Sequence, residues 1–327
     1  MNNVRYSFII PVYNRPAEVD ELLASLAGLE RADCEVIVVE DGSTTDCEEV
    51  VGRYADRLDI HYLRKPNSGP GPSRNMGAEV ARGEWLLIVD SDVVVPGGYL
   101  KAVDNALQAG DLDAFGGPDR ARADFTPTQR AVDYAMTSWL TTGGIRGGRA
   151  RKRMDRFHPR SYNMGIRREA FLAVGGFSTM RYGEDIDLSL RLLRAGYRTG
   201  LVGDAWVWHK RRSTLRQFFH QVHHSGQARI DLARRHPGSM RLVHALPSAF
   251  TVGCAVLLVA ALWTPWTLTP LALWALLVAA DATMRTRSLA VGLRAVAAAA
   301  IMLVGYGTGF IRARWLTGFR GHDASDE

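Results

Sequence analysis

The sequence predicts an α/β fold, a Rossmann-like and mainly parallel sheet with helices between its strands, followed by C-terminal membrane helices. Short β-rich apolar runs recur through residues 6–90, and amphipathic helical patterns separate them. Composition then shifts: residues 247–310 are dominated by Ala, Leu, Val and Trp, whereas the sequence before them mixes charges with apolar runs. A chain of 327 residues holds one large domain or two smaller ones.

The first strand is YSFIIPV (6–12), and after Pro16 the residues Val19, Leu22, Leu23 and Leu26 recur at helical spacing. CEVIVVE (34–40) is continuous and β-branched, as in a strand buried on both faces. A helix over 46–57, the strand DIHYLR (59–64), a short helix over 73–82 and the strand EWLLIVD (84–90) follow. Residues 116–160 are rich in Gly and Arg and read as a long loop around a helix over 127–140. SYNMGIRREAF (161–171) predicts a strand running into a helix, GEDIDLSLRLLRAGY (183–197) a helix, and TGLVGDAWVWHK (199–210) one further strand. A basic amphipathic helix over 215–235 is expected to approach a membrane surface.

The formal charge of +6 is modest, but arginines cluster at 146–160, beside Lys210, and at Arg312, Arg314 and Arg320. Such clusters suit solvated surface, an anionic leaflet, or phosphate binding. Nucleic acid is a poor partner, because no recognition motif accompanies the charge and aromatics do not interleave with it. Cys34, Cys47 and Cys254 lack CxxC or metal-ligand spacing, which suits a reducing compartment. The N-terminus enters a strand with no signal-peptide layout, so the α/β part is expected to stay in the cytoplasm.

Open sheets bind ligands outside the carboxyl ends of their strands. Those ends carry Tyr13 and Asn14, Glu40 and Asp41, and Asp90 and Asp92. The DSD triplet at 90–92 offers two carboxylates on one face of an extended segment, which suits a cation that neutralises a leaving diphosphate. An Asp-rich turn is the plainer alternative. Glu184 and Asp185 open a helix, where acids serve capping as readily as catalysis. His209 ends an apolar strand and reads either as a structural histidine or as a donor-site residue. TTGGIRGG (141–148) reads as a linker, a backbone phosphate cradle or a gate.

PVYNR (11–15), VVEDGSTTD (38–46), GPGPSRNMGA (69–78) and DSD resemble, in order, the motifs of glycosyltransferase family 2, in its membrane-associated bacterial form with the GT-A fold. GEDIDLSLR (183–191) resembles that family's acidic acceptor-side motif, and the match spans roughly residues 5–235. The resemblance implies inverting transfer from a nucleotide-sugar donor, with UDP-sugars favoured, to a hydroxyl of a lipid-linked or cell-surface glycan. Pro11, Val12 and Tyr13 would then lie along the nucleoside, Asp41 would bond the base, and Arg74 and Asn75 would lie near the nucleotide or its sugar. Asp90 would approach the ribose or metal, Asp92 would hold Mn2+ or Mg2+, and His209 would complete the metal site or touch the diphosphate. Asp185 would be the general base in preference to Glu184, whose adjacent carboxylate raises the base's pKa if it lies close. Arg146, Asn163, Arg211 and Arg212 are candidate phosphate or acceptor contacts.

Two other functions compete. A sugar-phosphate nucleotidyltransferase usually carries a Gly-rich basic signature after the first strand, where this chain reads PVYNR. A non-catalytic glycan- or lipid-binding membrane protein is disfavoured by intact Asp41, Asp90, Asp92 and Asp185. A processive polymerase is disfavoured because Gln221 has no QxxRW around it and the chain lacks enough crossings for an export channel.

The expected organisation is a glycosyltransferase domain over 1–240, a membrane segment over 246–311 and a basic-then-acidic tail over 312–327. Residues 246–263 form an uncharged apolar stretch, Thr264-Pro265-Trp266 a turn, and 267–280 a shorter return. Arg285 and Arg287 place the following loop on the cytoplasmic side of the cell inner membrane. Residues 289–310 contain Arg294 and read as an interfacial or re-entrant third helix, with a third crossing as the alternative. A homo-oligomer is left open.

Overall fold

The computed structural model describes residues 4–110, 112–122, 124–142 and 157–320, with side chains to 316. The chain divides into an α/β unit, Met1–Arg122 with Ala150–Lys210, and a helical unit, Ala123–Arg149 with Arg211–Glu327. The division therefore falls at 210 rather than near 240, and the helical unit recruits an insertion from within the α/β sequence.

The α/β unit begins β1 (Tyr6–Val12), α1 (Pro16–Ala27), β2 (Cys34–Asp41), α2 (Glu48–Gly52), β3 (Asp59–Lys65), α3 (Pro70–Val80) and β4 (Trp85–Val89). It continues through β5 (Val93–Val94), α4 (Tyr99–Gln108), β6 (Ala114–Gly116) and β7 (Asp119–Arg120). The inserted α5 (Pro127–Thr137) and α6 (Trp139–Thr142) belong to the helical unit. The chain then returns as β8 (Asn163–Arg167), α7 (Arg168–Ala173), α8 (Glu184–Arg194), β9 (Thr199–Leu201) and β10 (Val207–His209).

A seven-stranded sheet has the order β3-β2-β1-β4-β8-β6-β9. Its pairs are parallel except where β8 runs against both β4 and β6. Successive side chains of β1 point to opposite faces. Phe8, Ile10 and Val12 join Val19, Leu22 and Leu23 of α1, whereas Ile9 joins Ile37, Ile88, Met164 and Leu188 on the other face. Both faces are covered, which is why the strands read as continuous apolar runs. The helix expected over 46–57 is only five residues long, because Val50 and Val51 are its sole core contacts and Gly52 ends it. TGLVGDAWVWHK makes two strands: β9 closes the large sheet, while β10 enters a second sheet of order β5-β10-β7.

The helical unit adds α9 (Leu215–Arg235), α10 (Leu246–Ala260), α11 (Thr269–Thr286) and α12 (Leu289–Arg320). Helix α12 is its hub, burying Val291, Ala295, Ala298 and Ala299 with Phe218 and Val222 of α9 and Ala131, Val132 and Ala135 of α5. Helix α9 is thus packed along α12. Glycine makes that approach possible: a Cβ at Gly226 would stand 2.1 Å from the Tyr306 carbonyl oxygen, and one at Gly309 would stand 2.0 Å from that of His223. Polar contacts tie in α5, with Tyr134 donating to Asp281 at 2.7 Å and Arg130 to the Thr286 carbonyl at 2.7 Å.

Two helical stretches are long and apolar enough to cross a membrane, Pro265–Thr286 and Leu289–Leu316. The first apolar stretch, expected to cross, instead folds as the 15-residue α10. At 1.5 Å per residue it spans about 22 Å, short of the ~30 Å hydrocarbon core. The 289–310 segment, expected to be interfacial, belongs to a 32-residue helix, with Arg294 exposed and donating to the Ala290 carbonyl at 3.0 Å.

Candidate active site

Strand register assembles the central cluster. Asp90 follows β4 and Asp92 precedes β5, whose antiparallel partner β10 places His209 opposite Val93. The Lys210 amide donates to the Asp92 carbonyl at 3.1 Å, and β7 brings Asp119 to the other side of β10. His209 Nε2 lies 3.2 Å from Asp92 Oδ1, and its Nδ1 lies 3.5 Å from Asp119 Oδ2. The Tyr162 ring stacks on the imidazole at 5.0 Å, and Arg15 Nη1 donates to Asp92 Oδ2 at 2.6 Å.

One ligand atom each from Asp90, Asp92 and His209 lies within 4.8 Å of the others. Asp92 Oδ1 and His209 Nδ1 are buried without a well-directed hydrogen bond among the described residues, so these groups meet as ion pairs. Two carboxylates and an imidazole, with a buried acceptor still unsatisfied, fit a divalent cation of the Mn2+ or Mg2+ kind. Burial opposes charge on His209, yet Asp119 and Asp92 beside it and the field of Asp90 outweigh it, raising its pKa to about 9. Burial likewise opposes charge on Asp92, but His209 and Arg15 hold it well below the usual carboxylate range.

A second constellation adjoins the first. Arg74 of α3 is 3% exposed and donates to Asp90 Oδ1 at 2.7 Å and to Glu184 Oε1 at 2.9 Å. It links the acid after β4 to the first residue of α8. Gly183 precedes that residue in the left-handed region (φ 78°) and caps α8 with no side chain. Burial raises the Glu184 pKa, with Arg74 opposing and Asp185 assisting. Asp185 Oδ1 accepts from the Ile186 amide at 2.8 Å, while Oδ2 faces Arg160 Nε at 3.6 Å.

The structure puts several expected site residues to other uses. Val12 is 1% exposed in the core, so only its backbone can border a nucleoside; Pro11 is half-buried, and Tyr13 stands exposed at the strand end. Asp41 organises the loop after β3, accepting from Lys65 and from the amides of Ser68 and Gly69 at 2.9 and 2.8 Å. Asn14 ties the first two strand ends together, accepting from the amides of Thr44 and Thr45. Asn75 exchanges two 2.8 Å bonds with the backbone of Phe177, so its amide fixes the approach to α8 instead of facing a nucleotide.

Asn163 is fully buried between the Tyr99 hydroxyl and the Ala205 carbonyl, each at 2.8 Å, and cannot reach an acceptor. Arg211 is buried against Asp133 at 2.9 Å, which makes it a clamp within the helical unit and leaves it poorly placed for phosphate. Arg212 is partly exposed in the same unit. Arg146 and most of TTGGIRGG lie outside the described residues. Glu35, Asp59 and His61 form another acid–histidine cluster, but Arg82 already neutralises it, bonding Glu35 at 2.7 Å and Asp59 at 2.5 Å.

Sequence reasoning did not single out Arg15, Asp119, Tyr162 or Arg160. Arg15 lay within a quoted motif. Asp119 and Tyr162 gain meaning only when β7 and β10 pair, and Arg160 was one of many residues in a basic run.

A mainly parallel sheet with acids converging at its carboxyl edge defines the GT-A class of fold. The sequence model of glycosyl transferase family 2 matches residues 7–175, and the chain belongs to this family of enzymes. A pre-mycofactocin glycosyltransferase of Mycobacterium tuberculosis is 30% identical over 240 residues, covering 70% of this chain and 47% of its own length. The chain thus spans about half the length of that curated relative. The mannosyltransferase PcManGT of Pyrobaculum calidifontis, solved with GDP-Man and Mn2+, matches with a TM-score of 0.69 at 20% identity, over 95% of this chain and 87% of that one. Staphylococcus aureus TarS 1–349, solved with UDP-GlcNAc, matches with a TM-score of 0.50 at 17% identity, over 95% and 92%.

Proposed function

We propose that the chain is a metal-dependent inverting glycosyltransferase that moves a sugar from a nucleotide-sugar donor to a hydroxyl of a lipid-linked or cell-surface glycan. The single observation that carries this reading is the convergence of Asp90, Asp92 and His209 beside the Arg74–Glu184–Asp185 constellation. Family membership and fold neighbours that bind GDP-Man and UDP-GlcNAc support it.

Asp92 and His209, with Asp90, would hold Mn2+ or Mg2+, which supplies charge neutralisation at the leaving diphosphate. The protein's own groups do the remaining work. Arg74 fixes the Asp90 carboxylate and restrains Glu184, which leaves the neighbouring Asp185 as the base for the acceptor proton. Arg160 Nε faces Asp185 Oδ2 at 3.6 Å and helps to orient it. One base acting in a single displacement accords with inversion at the anomeric carbon. Fold neighbours were solved with UDP-GlcNAc and with GDP-Man, so UDP-sugars are the first donors to assay and GDP-mannose the second.

Helices α11 and α12, long and apolar enough to span, support membrane attachment. The decisive assay is donor hydrolysis or transfer with and without Mn2+ over a panel of nucleotide sugars. Thermal stabilisation by donor plus metal should single out the true donor, since ligands stabilise the state they bind. Full activity after chelation, or in Asp92→Ala, would overturn the mechanism.

A further inference from the structure

Three arginines are buried among the described residues: Arg74, Arg211 and Arg229. Arg74 lies between Asp90 and Glu184, and Arg211 lies against Asp133. Arg229, on α9 and 8% exposed, has no carboxylate within ion-pair distance among the described residues. Its Nη2 donates to the backbone carbonyl and hydroxyl of Ser239. Its Nε is buried without an acceptor among the described residues.

The surroundings add positive charge. Burial, and Arg241 in the turn that leads into α10, disfavour charge on Arg229 against the pull of Tyr306, and burial together with Arg229 and Arg241 pushes the His244 pKa down to about 4. His244 Nδ1 accepts from the Arg241 amide at 3.0 Å, so its Nε2 carries the proton of the neutral ring and is a second donor. Around these groups Met240, Leu242 and Leu246 are exposed, Leu242 to 84%. A buried guanidinium without an acid is costly unless an anion joins it. Apolar side chains beside cations match the boundary between lipid tails and head groups.

We propose that Arg229, Arg241 and His244 form a phosphate site that takes the head group of an anionic membrane lipid, separate from the diphosphate site of the α/β unit. Arg229 and Arg241 supply charge, the His244 Nε2–H a hydrogen bond, and Leu242 and Leu246 contacts to the acyl chains. The inference rests on the reading that the helical unit meets a membrane.

The test uses the full chain and co-flotation with phosphatidylcholine vesicles, plain or containing about one-fifth phosphatidic acid. Phosphatidic acid should raise binding, and Arg241→Gln and Arg229→Met should each lower the gain about fivefold while leaving binding to plain vesicles unchanged. Arg241 is exposed, so its variant reports even if Arg229→Met folds poorly. Arg216→Gln, another exposed cation of α9, should keep the gain. An undiminished gain in both site variants overturns the proposal. Binding to neither vesicle overturns the membrane reading and the lipid source together. In detergent, stabilisation by inorganic phosphate equal to that by phosphatidic acid, and lost in Arg241→Gln, retains the phosphate site and overturns lipid as its source.

Discussion

Arg74 and Arg229 are buried to similar degrees in two units with opposite surroundings. In the α/β unit two acids flank the guanidinium, and the charges there are arranged for a reaction. In the helical unit no acid among the described residues lies within ion-pair distance of Arg229, whose bonds go to Ser239. The difference teaches that burial of a cation says little until its partners are counted. A paired cation fixes geometry, and an unpaired one exposes a requirement for an anion.

The largest expected effect falls on the paired side. Asp92→Ala should reduce transfer about a thousandfold, since it removes charge stabilisation at the leaving group. His209→Ala should weaken Mn2+ binding about 10- to 100-fold, read by calorimetry. Unchanged Mn2+ affinity in both variants would remove the cluster from the mechanism.

Stability sharpens the contrast next. Arg74→Met strands the buried Glu184 carboxylate and unpairs the part-exposed Asp90, and should cost about 3–5 kcal/mol. Arg229→Met removes a buried charge that has no acid partner and should change stability by no more than about 1 kcal/mol. Denaturant unfolding of the two variants side by side decides it, and equal losses would break the comparison.

The pH dependence of metal binding comes third. With a folded value of about 9, above its ordinary 6.5, protonated His209 stabilises the metal-free fold below pH 6.5, and this contribution is lost as pH rises through 9. A metal ligand must be neutral, so Mn2+ affinity runs the opposite way. It should climb about tenfold per pH unit toward 9 and then level off. Mn2+ titrations followed by electron paramagnetic resonance between pH 6.5 and 9 check this, and a flat profile contradicts it. The smallest catalytic effect is expected for Asn163→Ala. It should cost about 1–3 kcal/mol of stability through unpaired Tyr99 and Ala205 groups, with the acceptor KM unchanged.

The strands of the large sheet were legible because a strand covered on both faces must be apolar throughout, as IVV at 37–39 and LLIV at 86–89 are. The sequence pattern starts α3 at 73, whereas the helix begins at Pro70, where Gly69 caps it and Pro70 opens it. The three-residue β10 was not legible as a separate strand, because pairing with β5 and β7, and not its own pattern, makes it one. Asn75 and Asn163 look alike as polar residues beside family motifs. Only their neighbours reveal that Phe177 occupies one and that Tyr99 with Ala205 occupies the other.

The sequence by itself determined the order of strands and helices, the acids at the strand ends and the apolar character of the last quarter. These follow from local propensity and from the periodicity of burial, which neighbouring residues carry. Tertiary structure alone decided which acids gather beside His209, which asparagines are structural, and which apolar helices are long enough to span. It also decided that Arg74 has acid partners and that Arg229 has none among the described residues. Those outcomes depend on distances between residues far apart in the chain, such as Asp92 and His209 or Arg74 and Glu184, and strand pairing and helix packing set them.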